Sequence, residues 1–228
     1  MAQAIQAVIF DMDGLMLDTE HPVQACCQAA AERLGFTLDA EYYASALMGR
    51  GWAESDAALM SRFGEQFPLE EYKTHFDRLW AAHIAAHGIT RKPGVLELLA
   101  VVETRQVPIA VATSTHRREA EFCLQAADLR ERFPVVVTGD EVSRGKPEPD
   151  IYLEAARRLG VDSRACIALE DSSAGVLSAS RAGMLTLMVP DVGRPPSPDA
   201  RRAAHAVFAS LVEARAFVER HLQPGNAT

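Results

Sequence analysis

The chain has 228 residues, a formal net charge of −8 and a pI near 5.4, which excludes the basic face that nucleic acid or an anionic membrane would require. With 48% apolar and 24% charged residues it has the composition of a globular protein able to bury a substantial core. No apolar run approaches the roughly 18 to 20 residues that span a bilayer, and the N-terminus lacks a basic-then-apolar leader, so a cytoplasmic protein is expected.

Residues 5–10 are short, β-branched and aromatic, as in a buried parallel strand. The run halts at Asp11 and Asp13 and turns at Gly14. Two carboxylates therefore stand beyond the carboxyl end of a strand, where open α/β sheets bind ligands. An Asp-x-Asp-Gly at that place is also an ordinary turn, so its meaning depends on groups elsewhere in the chain.

Residues 20–88 contain no strand pattern. Segments 23–34, 40–47, 53–63 and 69–87 have helical spacing and an alanine-rich composition, broken at Gly35, at Gly49-Arg50-Gly51 and at Pro68. This predicts an all-helical domain over 19–88, inserted directly after the Asp11 turn and so placed to act as a lid. His83 and His87 stand four apart, but no acid lies between them and no third ligand is near, which favours a solvated helix face over a zinc site. Cys26, Cys27, Cys123 and Cys166 show no CxxC spacing and read as reduced, structural thiols.

From Pro93 helices and strands alternate. Helices are expected at 94–103, 117–126, 149–159 and 174–182, and strands at 108–112, 135–138, 166–169 and 185–189. The fold class is therefore α/β: a doubly wound, Rossmann-like parallel sheet with helices on both faces, built from 1–18 and 89–228 and joined by strand 5–10. Residues 190–200, with Pro190, Pro195, Pro196 and Pro198, are expected as a surface loop, and a last helix at about 209–222.

Chemistry-bearing residues recur at the ends of these strands. Thr113, Ser114 and Thr115 follow the second strand, where hydroxyls and amides can hold phosphate oxygens. Capping of the next helix suits Ser114 or Thr115 and leaves Thr113 facing the site. Lys146 lies between the loop and the stiffening Pro147 and Pro149, where a fixed ammonium would offset carboxylate repulsion and bind phosphate. Glu170 and Asp171 end the strand at 166–169, one of them a candidate cap for the helix that follows. Together with Asp11 and Asp13 they form an oxygen-rich nest matched to Mg²⁺, and four acids at one sheet edge require a cation, Lys146 or both.

The four motifs Asp11-Met12-Asp13-Gly14, Thr113-Ser114, Lys146-Pro147 and Glu170-Asp171 occur in order over nearly the full chain. In them the chain resembles the haloacid dehalogenase superfamily phosphohydrolases, in the branch of β-phosphoglucomutase and the phosphatases of sugar phosphates and pseudouridine phosphate. The resemblance implies Asp11 as nucleophile, forming an aspartyl-phosphate, and Asp13 as the acid and base. It implies Mg²⁺ held by the Asp11 carboxylate, the Asp13 carbonyl and Asp171 with Glu170 close by, phosphate held by Thr113, Ser114 and Lys146, and substrate contacts from the helical domain at Glu20, His21, Arg50 and Trp52.

The expected function is a Mg²⁺-dependent phosphatase of a small phosphorylated metabolite, a sugar or nucleoside phosphate, acting as a monomer or weak homo-oligomer without nucleic acid or membrane. A phosphosugar mutase is the alternative. Val23 and Trp52 stand where β-phosphoglucomutase carries a histidine and an arginine, and both departures weaken it. A signalling receiver domain would be about half as long and lack the helical insert. A non-catalytic interaction protein would have no use for the intact set of acids.

Overall fold

The computed structural model describes residues 4–191 and 195–222. Strand β1 (Ala7–Phe10) is buried on both faces. Ala7 and Ile9 point to one layer of helices, while Phe10, on the other face, meets the Phe133 ring edge-on at 5.7 Å. Strands β2 (Ile109–Ala112), β3 (Val135–Val137), β4 (Cys166–Glu170), β5 (Leu185–Met188) and β6 (Ala206–Val207) complete the sheet. Among the described residues it is six-stranded, with all pairs parallel and the order β3-β2-β1-β4-β5-β6. The chain builds outward from β1 to β3, then returns to the other side of β1 as β4. The β1–β4 boundary is thus the topological switch point, where loops leave in opposite directions and open a crevice.

The chain divides into two units, one of Met1–Leu17 with Arg91–Thr228 and one of Asp18–Thr90. The first holds the sheet and its flanking helices α5 (Val95–Thr104), α6 (Arg117–Ala126), α7 (Asp150–Leu159), α8 (Ser173–Arg181), α9 (Pro198–Ala203) and α10 (Leu211–His221), numbered after those of the second unit. Helix α7 buries Ile151, Tyr152, Ala155 and Ala156 against Ala7, Ile9, Ala110, Ala112 and Ala168. The small alanines of the strands let the helix approach closely.

The second unit is helical: α1 (Glu20–Arg33), α2 (Ala40–Tyr42), a π-helical turn Tyr43–Leu47, α3 (Trp52–Phe63) and α4 (Leu69–His87). Helix α4 buries Tyr72, Phe76, Trp80 and Ile84, four residues apart and hence on one face. Among the described residues, no helix is long and apolar enough to cross a membrane.

Several elements depart from their expected bounds. Helix α1 begins at Glu20, ahead of Pro22, because a proline in the first turn removes an N–H that has no helical acceptor. The helix expected over 40–47 changes from α to π at Tyr43. Ile5 contributes only an isolated bridge to Leu222. Of the loop expected over 190–200, residues 192–194 lie outside the described residues. Its end is helical, since Ser197 caps α9 through the Ala200 amide and Pro198 takes a first-turn position. The two-residue β6 was not expected, being too short to show a period.

Candidate active site

The Lys146 ammonium organises the switch point. Its side chain is only 5% exposed, and its Nζ donates to Asp11 Oδ1 at 2.6 Å, to Glu170 Oε1 at 2.6 Å and to the Ala112 carbonyl at 3.0 Å. Three donors on one ammonium thereby meet three acceptors from the ends of β1, β2 and β4. The loop that carries Lys146 is anchored to α8, where Ser178 Oγ donates to the Glu148 carbonyl and Arg181 Nη1 to the Pro147 carbonyl. The Lys146–Pro147 peptide is cis.

Glu170 is fully buried and surrounded by donors. Oε1 accepts from Lys146 and, at 2.7 Å, from the Tyr152 hydroxyl, while Oε2 accepts from the Ser172 amide and hydroxyl. Beneath it lies Gly175 of α8. A Cβ there would stand 1.8 Å from Glu170 Oε1, so only a glycine lets the helix pass. Burial and the charge of Glu170 push the Tyr152 phenol well above its ordinary range and keep it a donor.

The electrostatics follow from these contacts. Burial and the neighbouring Glu170 carboxylate push Asp11 up to about 8, with Lys146 pulling the other way. Burial acts to lower Lys146, but Asp11 and Glu170 outweigh it and hold the ammonium above its usual range. One cation for two buried carboxylates leaves the site short of positive charge.

Asp13 meets different chemistry. Its carboxylate Oδ2 accepts from Thr115 Oγ1 at 2.8 Å and Thr113 Oγ1 at 3.3 Å, and Thr113 Oγ1 accepts from the Thr115 amide. Neither Ser114 nor Thr115 caps α6. The N-cap is His116, and the Arg117 amide is satisfied by Asp140 Oδ1 from the loop after β3. Ser172 caps α8, so neither Glu170 nor Asp171 holds that place.

Carboxylate oxygens of Asp11, Glu170 and Asp171 lie within 4.8 Å of one another, and among the described residues they are the one such group of three or more acids, histidines or cysteines. The Asp13 carboxylate is not part of this group. These hard oxygen donors, on a site lacking positive charge, fit a divalent cation such as Mg²⁺. Gly14, at φ +79°, leaves room beside Asp171: a Cβ there would come within 2.4 Å of Asp171 Oδ2.

The haloacid dehalogenase-like hydrolase family model matches residues 8–189. The chain belongs to this family. The phosphorylated carbohydrates phosphatase of Thermotoga maritima is 35% identical over 182 residues, which cover 79% of this chain and 82% of that protein. The structure of CbbY from Rhodobacter sphaeroides in complex with phosphate superposes with a TM-score of 0.79 at 28% identity, covering 92% of this chain and 96% of that one. That of a putative β-phosphoglucomutase from Thermotoga maritima does so with a TM-score of 0.77 at 32% identity, covering 95% and 99%.

In this haloacid dehalogenase-like hydrolase, Asp11, Asp13, Thr113, Lys146, Glu170 and Asp171 meet at one sheet edge, with Ser114 in the same loop as Thr113. Glu20, His21, Arg50 and Trp52 belong to the helical unit. Glu20 is buried and accepts from the Tyr43 hydroxyl at 3.3 Å. His21 Nδ1 lies 3.8 Å from Asp18, Arg50 donates to the Ser45 carbonyl, and the Trp52 ring packs edge-on against Phe76 at 5.2 Å. Half-buried His83 stacks on exposed His87 at 4.7 Å and on Trp80 at 6.0 Å, and all four cysteines are buried and outside any disulfide. The network also enlists Tyr152, Ser172 and Thr115. Tyr152 follows Lys146 by six residues, but no sequence pattern tells where its hydroxyl points.

Proposed function

We propose that this hydrolase is a Mg²⁺-dependent phosphatase of small phosphorylated metabolites of the sugar phosphate kind, working through an aspartyl-phosphate on Asp11. The observation that carries the reading is the different environment of two aspartates two residues apart: Asp11 against an ammonium, Asp13 against two hydroxyls. An Asp11 oxygen attacks phosphorus and the ester P–O bond breaks. Asp13 gives a proton to the departing alkoxide, then takes one from the water that cleaves the acyl phosphate, releasing inorganic phosphate and restoring Asp11. Thr113 and Thr115 orient Asp13, while the Thr113-Ser114 loop would bind the phosphoryl oxygens and the Lys146 ammonium would offset their charge. Asp11 and Asp171, with the Asp13 carbonyl, would hold the cation, and Glu170, with both oxygens engaged by donors, would position Lys146. A bound Mg²⁺ supplies charge neutralisation between Asp11 and the phosphoryl group. The helical unit serves as the cap that selects the leaving group.

Similarity to a carbohydrate phosphatase supports this substrate class. Val23 and Trp52, in place of a mutase's histidine and arginine, favour hydrolysis over mutase chemistry. The test is phosphate release from p-nitrophenyl phosphate and a panel of sugar phosphates. Turnover is expected to need Mg²⁺, to stop with EDTA and to fall by more than about 10³-fold in Asp11→Asn. Turnover that survives EDTA or the Asn substitution would overturn the mechanism, and isomerisation of glucose phosphates without phosphate release would establish the mutase.

A further inference from the structure

A second ion pair, unused so far, lies beside the acid cluster. Lys92 Nζ meets Asp191 Oδ1 at 2.5 Å, with the two side chains 18% and 6% exposed. Lys92 sits just past the return from the helical unit, where its amide donates to the Met16 carbonyl. Asp191 follows β5. The point at which a Gly14 Cβ would stand lies 2.4 Å from Asp171 Oδ2 and 3.6 Å from Asp191 Oδ2, so the two carboxylates flank the same turn.

This adds a fourth buried carboxylate beside the three of the acid cluster, with its own cation. We propose that Lys92 and Asp191 flank the metal site as balanced charges, Asp191 strengthening and Lys92 weakening the attraction of Asp171 and its neighbours for a divalent cation. The inference rests on the Mg²⁺ reading above. The two residues carry opposite charges 2.5 Å apart, so removing one or the other should move cation affinity in opposite directions. Lys92→Met withdraws a positive charge and leaves the Asp191 carboxylate facing the site. Asp191→Asn keeps the shape, withdraws a negative charge and leaves the Lys92 ammonium.

The experiment is calorimetric titration of the full-length, metal-stripped protein with Mg²⁺, for the wild type, Lys92→Met, Asp191→Asn and the double variant, with thermal unfolding recorded for each. Lys92→Met should bind Mg²⁺ about three- to tenfold more tightly, Asp191→Asn weaker by a similar factor, and the double variant close to wild type. The split should shrink in high salt. A purely structural pair would lower the unfolding temperature of both single variants without splitting their Mg²⁺ affinities, and that result would overturn the proposal. If Lys92→Met does not fold, Lys92→Gln replaces it, and an unchanged or weakened affinity there overturns the proposal equally. Failure of the wild type to bind Mg²⁺ would refute the metal reading itself, an outcome distinct from binding without the split.

Discussion

Asp11 and Asp13 are chemically identical side chains made unequal by their neighbours. Asp11 is 6% exposed and held by an ammonium, and its fixed carboxylate suits attack on phosphorus. Asp13 is more open to solvent and held by two hydroxyls, an arrangement that tolerates both protonation states because a hydroxyl can donate or accept. Asp13→Asn should therefore slow hydrolysis by about 10²–10⁴-fold for an alkyl phosphate but much less for an activated aryl phosphate, whose leaving group needs little protonation. Steady-state kinetics across leaving groups of graded pKa check this, and equal losses throughout would remove Asp13 from the acid role. Both aspartates stand out in the sequence because acids that interrupt an apolar strand are conspicuous. The donors that separate their environments come from residues about 100 or more positions away, and no local pattern encodes those contacts.

At the scale of elements, the N-terminus of α8 and the end of β4 form one device. Ser172 accepts from the Gly175 amide and donates to Glu170 Oε2, while Gly175 leaves the space that Glu170 occupies. Gly175→Ala should push the Glu170 carboxylate off its donors, cost about 1–3 kcal/mol and displace Lys146 with it. The expected result is a melting temperature lower by several degrees, together with a loss of turnover larger than destabilisation explains. Unchanged kcat in a folded Gly175→Ala protein would disconnect this device from the chemistry. Ser172→Ala, which removes the cap and one of Glu170's four bonds, should cost about 1–2 kcal/mol in the same melts. Element bounds were legible where strong breakers flank a periodic run. Helix α4 runs Leu69–His87 between Pro68 and Gly88, as its spacing predicts. They were not legible where tertiary contacts decide, as in the π turn at Tyr43–Leu47 and the two-residue β6.

At the scale of the whole molecule, the site is a store of unfavourable charge. In the absence of metal, folded Asp11 keeps its proton up to about 8, whereas the unfolded chain releases it near 3.8. Between these values Asp11 holds its proton in the folded state and not in the unfolded state, so its contribution to stability falls as pH rises. Lys146 is an ammonium in both states across this window and adds no slope of its own. Lowered carboxylates such as Glu154 and Asp162 act with the opposite sign at acid pH, so the difference between proteins isolates Asp11: in EDTA the melting temperature of the wild type should fall, relative to that of Asp11→Asn, as pH rises from about 5 to 8, and the Mg²⁺-induced rise should be greater at pH 8 than at pH 5. An Asp11→Asn protein with the wild-type slope would assign the pH dependence to other groups.

The sequence by itself determined the α/β class, the β–α alternation and the identity of the acids, hydroxyls and lysine at the strand ends, because periodicity and turn chemistry are local properties. The tertiary structure decided the strand order that puts β1 beside β4, the meeting of Glu170 with Lys146 and Tyr152, and the pairing of Lys92 with Asp191 across the Gly14 turn. Those are contacts between distant segments. They are fixed by which strand ends the parallel sheet brings to one edge, and no window along the chain contains them.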